Sequence, residues 1–467
     1  MEFLHSETVT VAAVSTPYGR GGIAVIRISG PDAIPIAEKL FVPGRSRCGD
    51  AALSSAESNR MVWGRIYYKE ELIDDGMAVV FRAPHSYTGE DTVEISCHGG
   101  IYLTQKVLES VFLCGAQPAG PGEFTKRAFL NGKLGLSQAE AIIDLIDAQS
   151  MEGVRLAGAG ARGMLKRAAD EIYLLLRDAV SSTYAFIDFP DEDLTDLSVD
   201  ELLERIGTAR EKLDVLAKSY SVGRAVNEGI RCAIVGKPNT GKSSLLNCLM
   251  GEDRAIVTDI AGTTRDVLEE TVSIGRILLR LADTAGIHGT DDVVERLGVE
   301  RSLRALGDAE LVLAVFDGSA ALEDEDFALA EHLRGVQCPI VAVVNKSDAG
   351  LTADVSALDV PFAKTVTVSA ANGDGVDELR ETVESLFLEG QIDYSTEAVV
   401  SNARQYAAVC AAAEHVTRAE QALRDGYTQD IAGMDLELAL SALAEVDGRA
   451  VTGDVVDTIF HNFCVGK

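Results

Sequence analysis

Short apolar runs set the frame for the middle of this 467-residue chain. Residues 230–235, 278–282, 311–316 and 340–344 are apolar stretches bounded by turn residues, too short for buried helices, and they predict strands buried on both faces. A further strand is expected at 365–368. The first 125 residues read as mixed α/β, with strands near 9–14, 22–28, 77–81 and 92–96 between turns rich in Gly and Pro. From Ser137 the period becomes helical. Ser137-Gln138-Ala139-Glu140 has the form of a capping box, followed by Ile142, Ile143, Leu145 and Ile146. A second box, Ser198-Val199-Asp200-Glu201, opens a helix to about Tyr220, and the acidic stretch 188–193 between them reads as a solvated turn. Helical spacing resumes after about Phe387, over 402–423 and 436–446. The expected architecture is an α/β domain over 1–125 and a discontinuous all-α domain over 126–225 and 391–467. An inserted P-loop domain of Ras-like α/β type occupies 226–390, with joins near Val226 and Gln391.

The strand at 230–235 runs into Gly236-Lys237-Pro238-Asn239-Thr240-Gly241-Lys242-Ser243, which fits G-x-x-x-x-G-K-[ST]. The glycines let backbone N–H groups turn toward a phosphate at a helix N-terminus. Lys242 would reach the β/γ-phosphates and Ser243 would ligate Mg²⁺. Four companions follow in the order a guanine-nucleotide switch requires. Thr263-Thr264-Arg265-Asp266 offers hydroxyls to Mg²⁺ and the γ-phosphate, and Asp283-Thr284-Ala285-Gly286 follows the strand at 278–282. In Asn345-Lys346-Ser347-Asp348 the Asp348 carboxylate would accept the N1–H and N2–H₂ protons of guanine, and adenine would be repelled. Ser369-Ala370-Ala371 would set a backbone N–H on the guanine carbonyl. Five motifs in register predict a GTP-binding domain.

Ile287 follows Gly286, where small signalling GTPases carry the glutamine that orients water. An apolar side chain does neither job, so hydrolysis needs another water-positioning group and another positive charge. Asn239, with carbonyls of the loop 256–264, offers neutral oxygens suited to a monovalent cation. Glu295 is the nearest candidate carboxylate for the water. Glu295 reads equally as an exposed helix residue, and Asn239 as a turn cap.

Composition narrows the partners. The chain is 47% hydrophobic and 25% charged, with a net charge of −31 and no dense basic run. It is not a generic nucleic-acid binder, so any such contact must be local or made by a partner. The length implies about three domains. No apolar run is long enough for a membrane span, no basic-then-apolar leader opens the chain, and eight scattered cysteines form no C-x-x-C pair. The expectation is a cytoplasmic protein without structural zinc.

The flanking motifs carry a more specific resemblance. They are Thr16-Pro17-Tyr18-Gly19-Arg20-Gly21-Gly22, Ile26-Arg27-Ile28-Ser29-Gly30, Tyr87-Thr88-Gly89-Glu90-Asp91, Cys97-His98-Gly99-Gly100, Pro121-Gly122-Glu123-Phe124, Arg127-Ala128-Phe129-Leu130-Asn131 and the terminal Phe463-Cys464-Val465-Gly466-Lys467. With the nucleotide motifs, the chain resembles the MnmE (TrmE) tRNA-modification GTPases, of the TrmE-Era-EngA-YihA-Septin-like class, over essentially its whole length. The resemblance implies an N-terminal domain that binds a formylated or methylene tetrahydrofolate and forms a homodimer. It also implies a heteromeric complex with the FAD-containing MnmG (GidA). Together they would install a (carboxymethyl)aminomethyl group at C5 of the wobble uridine of certain tRNAs.

The family's folate contacts map to Arg27, Glu94, Lys133 and Lys467. Its nucleotide contacts map to Asn239, Thr240, Gly241, Lys242, Ser243 and Ser244, to Thr258, Asp259, Ile260, Ala261, Gly262, Thr263 and Thr264, to Asp283, Thr284, Ala285 and Gly286, and to Asn345, Lys346, Asp348, Ser369, Ala370 and Ala371. Potassium would fall to Asn239, Thr258, Ile260 and Thr263, and Mg²⁺ to Ser243 and Thr264. Glu295 takes the position of the family's water-positioning glutamate. Cys464 is either a thiolate nucleophile activated by Lys467 or a buried, inert thiol of a packed tail. Val465, His288 and Gly135 depart from common family residues.

Two alternatives stand beside this reading, one from the same broad nucleotide-binding class and one from a different class. A ribosome-assembly GTPase switch would carry a basic RNA-binding module, whereas residues 391–467 hold 12 Asp and Glu against five Lys and Arg. A GTP-regulated, folate-dependent one-carbon transferase would act on small amines without tRNA.

Overall fold

The computed structural model describes residues 9–44, 52–188, 199–252, 270–281, 306–388, 393 and 397–467. Contacts divide the chain into two compact units, Met1–Ile143 with Leu440–Lys467, and Asp144–Ala439.

The first unit is built on one sheet. Its elements are β1 (Val11–Val14), β2 (Ile23–Ser29), α1 (Ala33–Leu40), β3 (Phe41–Pro43), β4 (Met61–Tyr68), β5 (Glu71–Phe81), β6 (Thr92–His98), α2 (Ile101–Leu113), β7 (Gln117–Pro118) and α3 (Glu123–Leu130). The strand order is β3-β4-β5-β6-β2-β1-β7, with β1 and β7 parallel and the other pairs antiparallel. Period-2 alternation along β2 buries Ala24, Ile26 and Ile28 on one face. There they pack with Val93, Ile95, Val107, Val111, Ile36 and Leu40 beneath α1 and α2. On the opposite face Phe124 of α3 covers Val11 and Ala13. The same sequence pattern misses β3 and β4, because β4 alternates around Gly64 and leaves Met61 and Trp63 60% and 50% exposed.

The chain returns to this unit at its end. The helix Gly453–His461 packs Val456 and Phe460 with Leu136, Ala139 and Phe463. Beyond it Val465 bridges Pro121, the Gly122 N–H donates to the Cys464 carbonyl at 3.3 Å, and the Phe124 N–H donates to a Lys467 oxygen at 3.0 Å. Gly466 has φ +98, and a Cβ there would collide with the Val14 carbonyl. A glycine lets the tail close on β1.

The second unit joins a helical bundle to an α/β domain. Helix α4 (Leu136–Asp147) enters it, followed by α5 (Met151–Ala161), α6 (Met164–Asp188) and α7 (Val199–Asn227). The expected cap at Ser137 is not formed. Helix α4 begins at Leu136, the Gly135 N–H donates to Gln138 Oε1, and Ser137 is buried. Ser198 and residues 189–193 of the acidic turn lie outside the described residues. Helices α5 and α6 fill the stretch that periodicity left unassigned. Helix α7 pairs with the helix Ala403–Arg424, where Tyr220 stacks on Tyr406 at 4.3 Å and Arg210 meets Glu420 at 2.8 Å.

The α/β part contains β8 (Ile230–Val235), α8 (Lys242–Glu252), β9 (Glu270–Ile274), β10 (Ile277–Leu281), β11 (Leu311–Asp317), β12 (Ile340–Asn345) and β13 (Lys364–Thr367). The order β13-β12-β11-β8-β10-β9 is parallel except for edge strand β9. Continuous apolar strands are buried on both faces, as the runs predict. Helix α7 ends three residues before β8, close to the expected join at Val226; Gln391 lies outside the described residues.

Candidate functional site

In the second unit the loop between β8 and α8 lies at the C-terminal edge of the parallel strands, where open α/β sheets take ligands. Gly236 and Gly241 have φ +157 and +91, and Asn239 has φ +62. A Cβ on Gly241 would fall on the Asn345 side chain. Lys242 Nζ curls back to the carbonyls of Gly236 and Lys237, both at 2.8 Å. Burial pushes its pKa below the usual lysine value, a penalty that a neighbouring anion would relieve. Lys242 opens helix α8, and Ser243 and Ser244 continue it.

The base-side motifs converge on the same loop. Asn345, 2% exposed, donates to the Thr240 carbonyl at 2.9 Å and accepts from the Ala370 N–H at 3.0 Å. Ser369 Oγ donates to Asp348 Oδ1 at 2.6 Å, fixing the carboxylate expected to read guanine. Lys346, at φ +65, meets Asp317 Oδ2 at 2.6 Å. Burial pushes the Asp317 carboxyl up, but hydrogen bonds from Lys346 and Ser319 outweigh it and hold it below the usual range. Asp317 was not among the expected site residues; its signal is its place at the end of a buried strand. Ala371 follows in the same turn. Thr258, Asp259, Ile260, Ala261, Gly262, Thr263, Thr264, Asp283, Thr284, Ala285, Gly286, Ile287, His288 and Glu295 lie outside the described residues.

In the first unit a second constellation forms on the α3 side of the sheet. Arg27 on β2 faces its cross-strand partner Glu94 on β6, with both Nε and Nη2 within 2.8 Å of Oε1. The guanidinium lies 5.4 Å from the centroids of both the Tyr87 and Phe124 rings. Tyr87 OH meets Thr125 Oγ1 at 2.9 Å, and burial raises its pKa against that bond and the Arg27 charge. Tyr87 and Phe124 are further candidates that residue type alone did not single out, although both sit in the quoted motifs. Ser15, two residues beyond Ala13, has a buried hydroxyl with no hydrogen-bond partner among the described residues. An arginine between two aromatic rings, paired with a carboxylate, fits a flat heterocycle bearing amide-like edges.

Lys133 Nζ is held by the Pro84 carbonyl at 2.8 Å, beside the loop that Asn131 ties down through the Thr88 carbonyl at 2.7 Å. The motifs 87–91 and 127–131 are joined beneath it. Arg127, 2% exposed, bonds Glu90 at 3.0 Å and Glu123 at 2.9 Å, and Ser29 links Thr88 and Glu90 at 2.8 and 2.9 Å. The tail carrying Lys467 docks through Phe124, so one phenylalanine contacts both Arg27 and the chain end. Cys464 is exposed although the tail packs.

Comparison with known proteins agrees over both units. The model of the MnmE helical domain matches residues 136–464, and that of the GTP-binding protein TrmE N-terminus matches residues 10–133. The tRNA modification GTPase MnmE of Geobacter sulfurreducens is 41% identical over 98% of this chain and 99% of its own length. That of Thermoanaerobacter pseudethanolicus is 40% identical over the same shares. Among solved structures, Era with MgGDPNP and a 16S ribosomal RNA segment matches at 29% identity over 40% of this chain and 66% of that chain, with a TM-score of 0.27. No helix among the described residues is long and apolar enough to cross a membrane. The chain belongs to the MnmE family of tRNA modification GTPases.

Proposed function

We propose that this GTPase is potassium-dependent and works with an FAD-containing partner, MnmG, to add a (carboxymethyl)aminomethyl group to C5 of the wobble uridine of certain tRNAs. A folate one-carbon unit would supply the methylene carbon. The observation that carries the reading is the Arg27–Glu94 pair beside Phe124, the residue whose N–H also holds the C-terminal tail, in a chain that also carries a complete set of guanine-nucleotide motifs. A signalling switch has no use for that second face.

In the nucleotide domain, 226–390, Lys242 would exchange its two carbonyl partners for β/γ-phosphate oxygens, and the base would be read by Asp348 under the hold of Ser369. Ser243 and Thr264 would hold Mg²⁺, which supplies charge neutralisation on the phosphates. Asn239, Thr258, Ile260 and Thr263 would hold K⁺, which supplies the positive charge an arginine finger gives elsewhere. Glu295 would orient the attacking water in place of the side chain that Ile287 lacks.

In the N-terminal domain, 1–125, Glu94 would accept from pterin donors while Arg27, Lys133 and Lys467 meet carbonyl or carboxylate oxygens. Cys464 would act from the exposed end of the tail. Strand β4 exposes Met61 and Trp63, two residues apart on one face, and such apolar exposure supports a homodimer through this domain. The helical residues 126–225 and 391–467 would join the two sites. A cytoplasmic protein is the natural setting.

A reconstituted reaction tests this reading. Purified chain, the FAD-loaded partner, GTP, K⁺, methylene-tetrahydrofolate, an ammonium or glycine donor and undermodified tRNA should yield modified wobble uridine. Full modification without folate or without this chain would overturn it.

A further inference from the structure

The loop between β8 and α8 carries two lysines in unlike surroundings. Lys242 Nζ bonds the carbonyls of Gly236 and Lys237 and no carboxylate among the described residues. Lys237 Nζ lies 2.8 Å from both Glu323 Oε2 and Asp326 Oδ2, and its side chain is 12% exposed. Burial pulls the Lys237 pKa down, but hydrogen bonds to Asp326 and Glu323 outweigh it and raise the value above that of an ordinary lysine. Lys237 therefore keeps its charge and spends it on the protein.

The two carboxylates are themselves held. Glu323 caps the helix Asp324–Leu333 in a reciprocal box, in which its side chain accepts the Asp326 N–H and Asp326 Oδ2 accepts the Glu323 N–H at 3.0 Å. Asp326 is buried, in a first helical turn that favours negative charge. One carboxylate oxygen thus receives both a cap N–H and the Lys237 ammonium.

Lys237 in turn governs the backbone that follows it. Its carbonyl accepts from Lys242 Nζ at 2.8 Å and from Thr240 Oγ1 at 3.1 Å. Asn239 stands between Lys237 and Thr240 at φ +62, a left-handed conformation that a residue with a side chain keeps only where its surroundings impose it. Ties lie on both sides of it. Lys237 is bound to the helix Asp324–Leu333, and Thr240 is bound to Asn345 at the end of β12.

We propose that Asp326, with Glu323, is a positioning residue for GTP binding: by clamping Lys237 it holds Asn239 in its left-handed turn and keeps the Lys237 carbonyl aimed at Lys242. Two effects compete at this clamp. The carboxylates bring negative charge toward a site for an anion, and the clamp spares the loop its conformational search. The charge effect is the smaller, because Lys237 neutralises Asp326 in contact and Glu323, 66% exposed, is screened by water. Loss of the clamp therefore weakens nucleotide binding. The proposal rests on the reading that this loop holds the nucleotide phosphates.

The test uses the full-length chain and GDP carrying a fluorescent ribose label. Lys237→Met should raise Kd about tenfold, the scale of the conformational cost of one left-handed residue. Asp326→Asn, which keeps an acceptor for the Glu323 N–H, should raise it about threefold, and the pair should lose no more than Lys237→Met alone because both break one contact. Lys237→Arg retains the ion pair and should bind as the wild type does. Asp324→Asn removes an exposed carboxylate of the same helical turn and should leave Kd alone. In GTP turnover the clamp variants should raise KM more than they lower kcat, as loss of ground-state binding does. Denaturant unfolding of each variant ensures that affinity is measured on folded chain. Wild-type or tighter affinity in both Lys237→Met and Asp326→Asn would overturn the proposal. So would losses that multiply in the pair, or an equal loss in Asp324→Asn. Lys242→Ala separates the clamp from the reading beneath it, since its nucleotide affinity should collapse. Wild-type affinity in Lys242→Ala would sink the loop as the phosphate site and the clamp with it. A collapse there with unchanged clamp variants would sink the clamp alone.

Discussion

Asn345 and Thr240 are tied by a 2.9 Å hydrogen bond from a buried side-chain amide to a backbone carbonyl, so the end of β12 holds the loop between β8 and α8. Asn345→Ala removes that bond and the acceptor for the Ala370 N–H, leaving buried polar groups unpaired. The expected cost is about 2 kcal/mol of stability and a comparable loss in GDP affinity. Denaturant unfolding and fluorescent-nucleotide titration measure the two. Wild-type values in both would show that the bridge is incidental.

Glu295→Ala should abolish hydrolysis with nucleotide affinity nearly unchanged, because a water-positioning group acts on the attacking water and not on ground-state binding. The same assay in KCl and NaCl at equal ionic strength should run faster in potassium. A variant with normal turnover removes the Glu295 role, and equal rates in the two salts remove the cation site.

Glu94→Gln keeps the size of the side chain but takes away the charge opposite Arg27. Binding of 5-formyl-tetrahydrofolate, measured by calorimetry, should weaken by about tenfold or more, the cost of one charge-assisted hydrogen bond. GTP turnover should not change. Unaltered folate affinity would move the folate elsewhere.

The thiols separate by environment. Burial and the neighbouring Asp74 carboxylate push Cys97 up to about 11, and burial pushes Cys232 higher still, so both remain protonated thiols near neutrality. Cys464 is exposed. Iodoacetamide at pH 8 should therefore label Cys464 before Cys97 or Cys232, as read by peptide mass spectrometry. Early labelling of Cys97 would contradict the packing around β6.

The nucleotide domain was legible because its strands are continuous apolar runs and its motifs sit at their ends; Ile230–Val235 coincides with β8. The N-terminal sheet was less so. Strand β4 mixes Gly64 with exposed Met61 and Trp63, which blurs its period. Ser137 resembles a cap by spacing, yet the turn at Gly135 starts the helix at Leu136, two residues earlier than such a cap would, and buries Ser137. The site face shows the larger gap. Arg27 and Glu94 are cross-strand neighbours 67 residues apart, and Lys467 reaches them through Phe124 from the other end of the chain. No local pattern encodes such a closure; only the resemblance raised those residues together.

The most direct test of the whole account is nucleoside mass spectrometry of tRNA from cells lacking this chain. The account predicts that aminomethyl-type modifications at C5 of the wobble uridine disappear and return when the chain is restored. Wobble uridines that stay fully modified in its absence would contradict it.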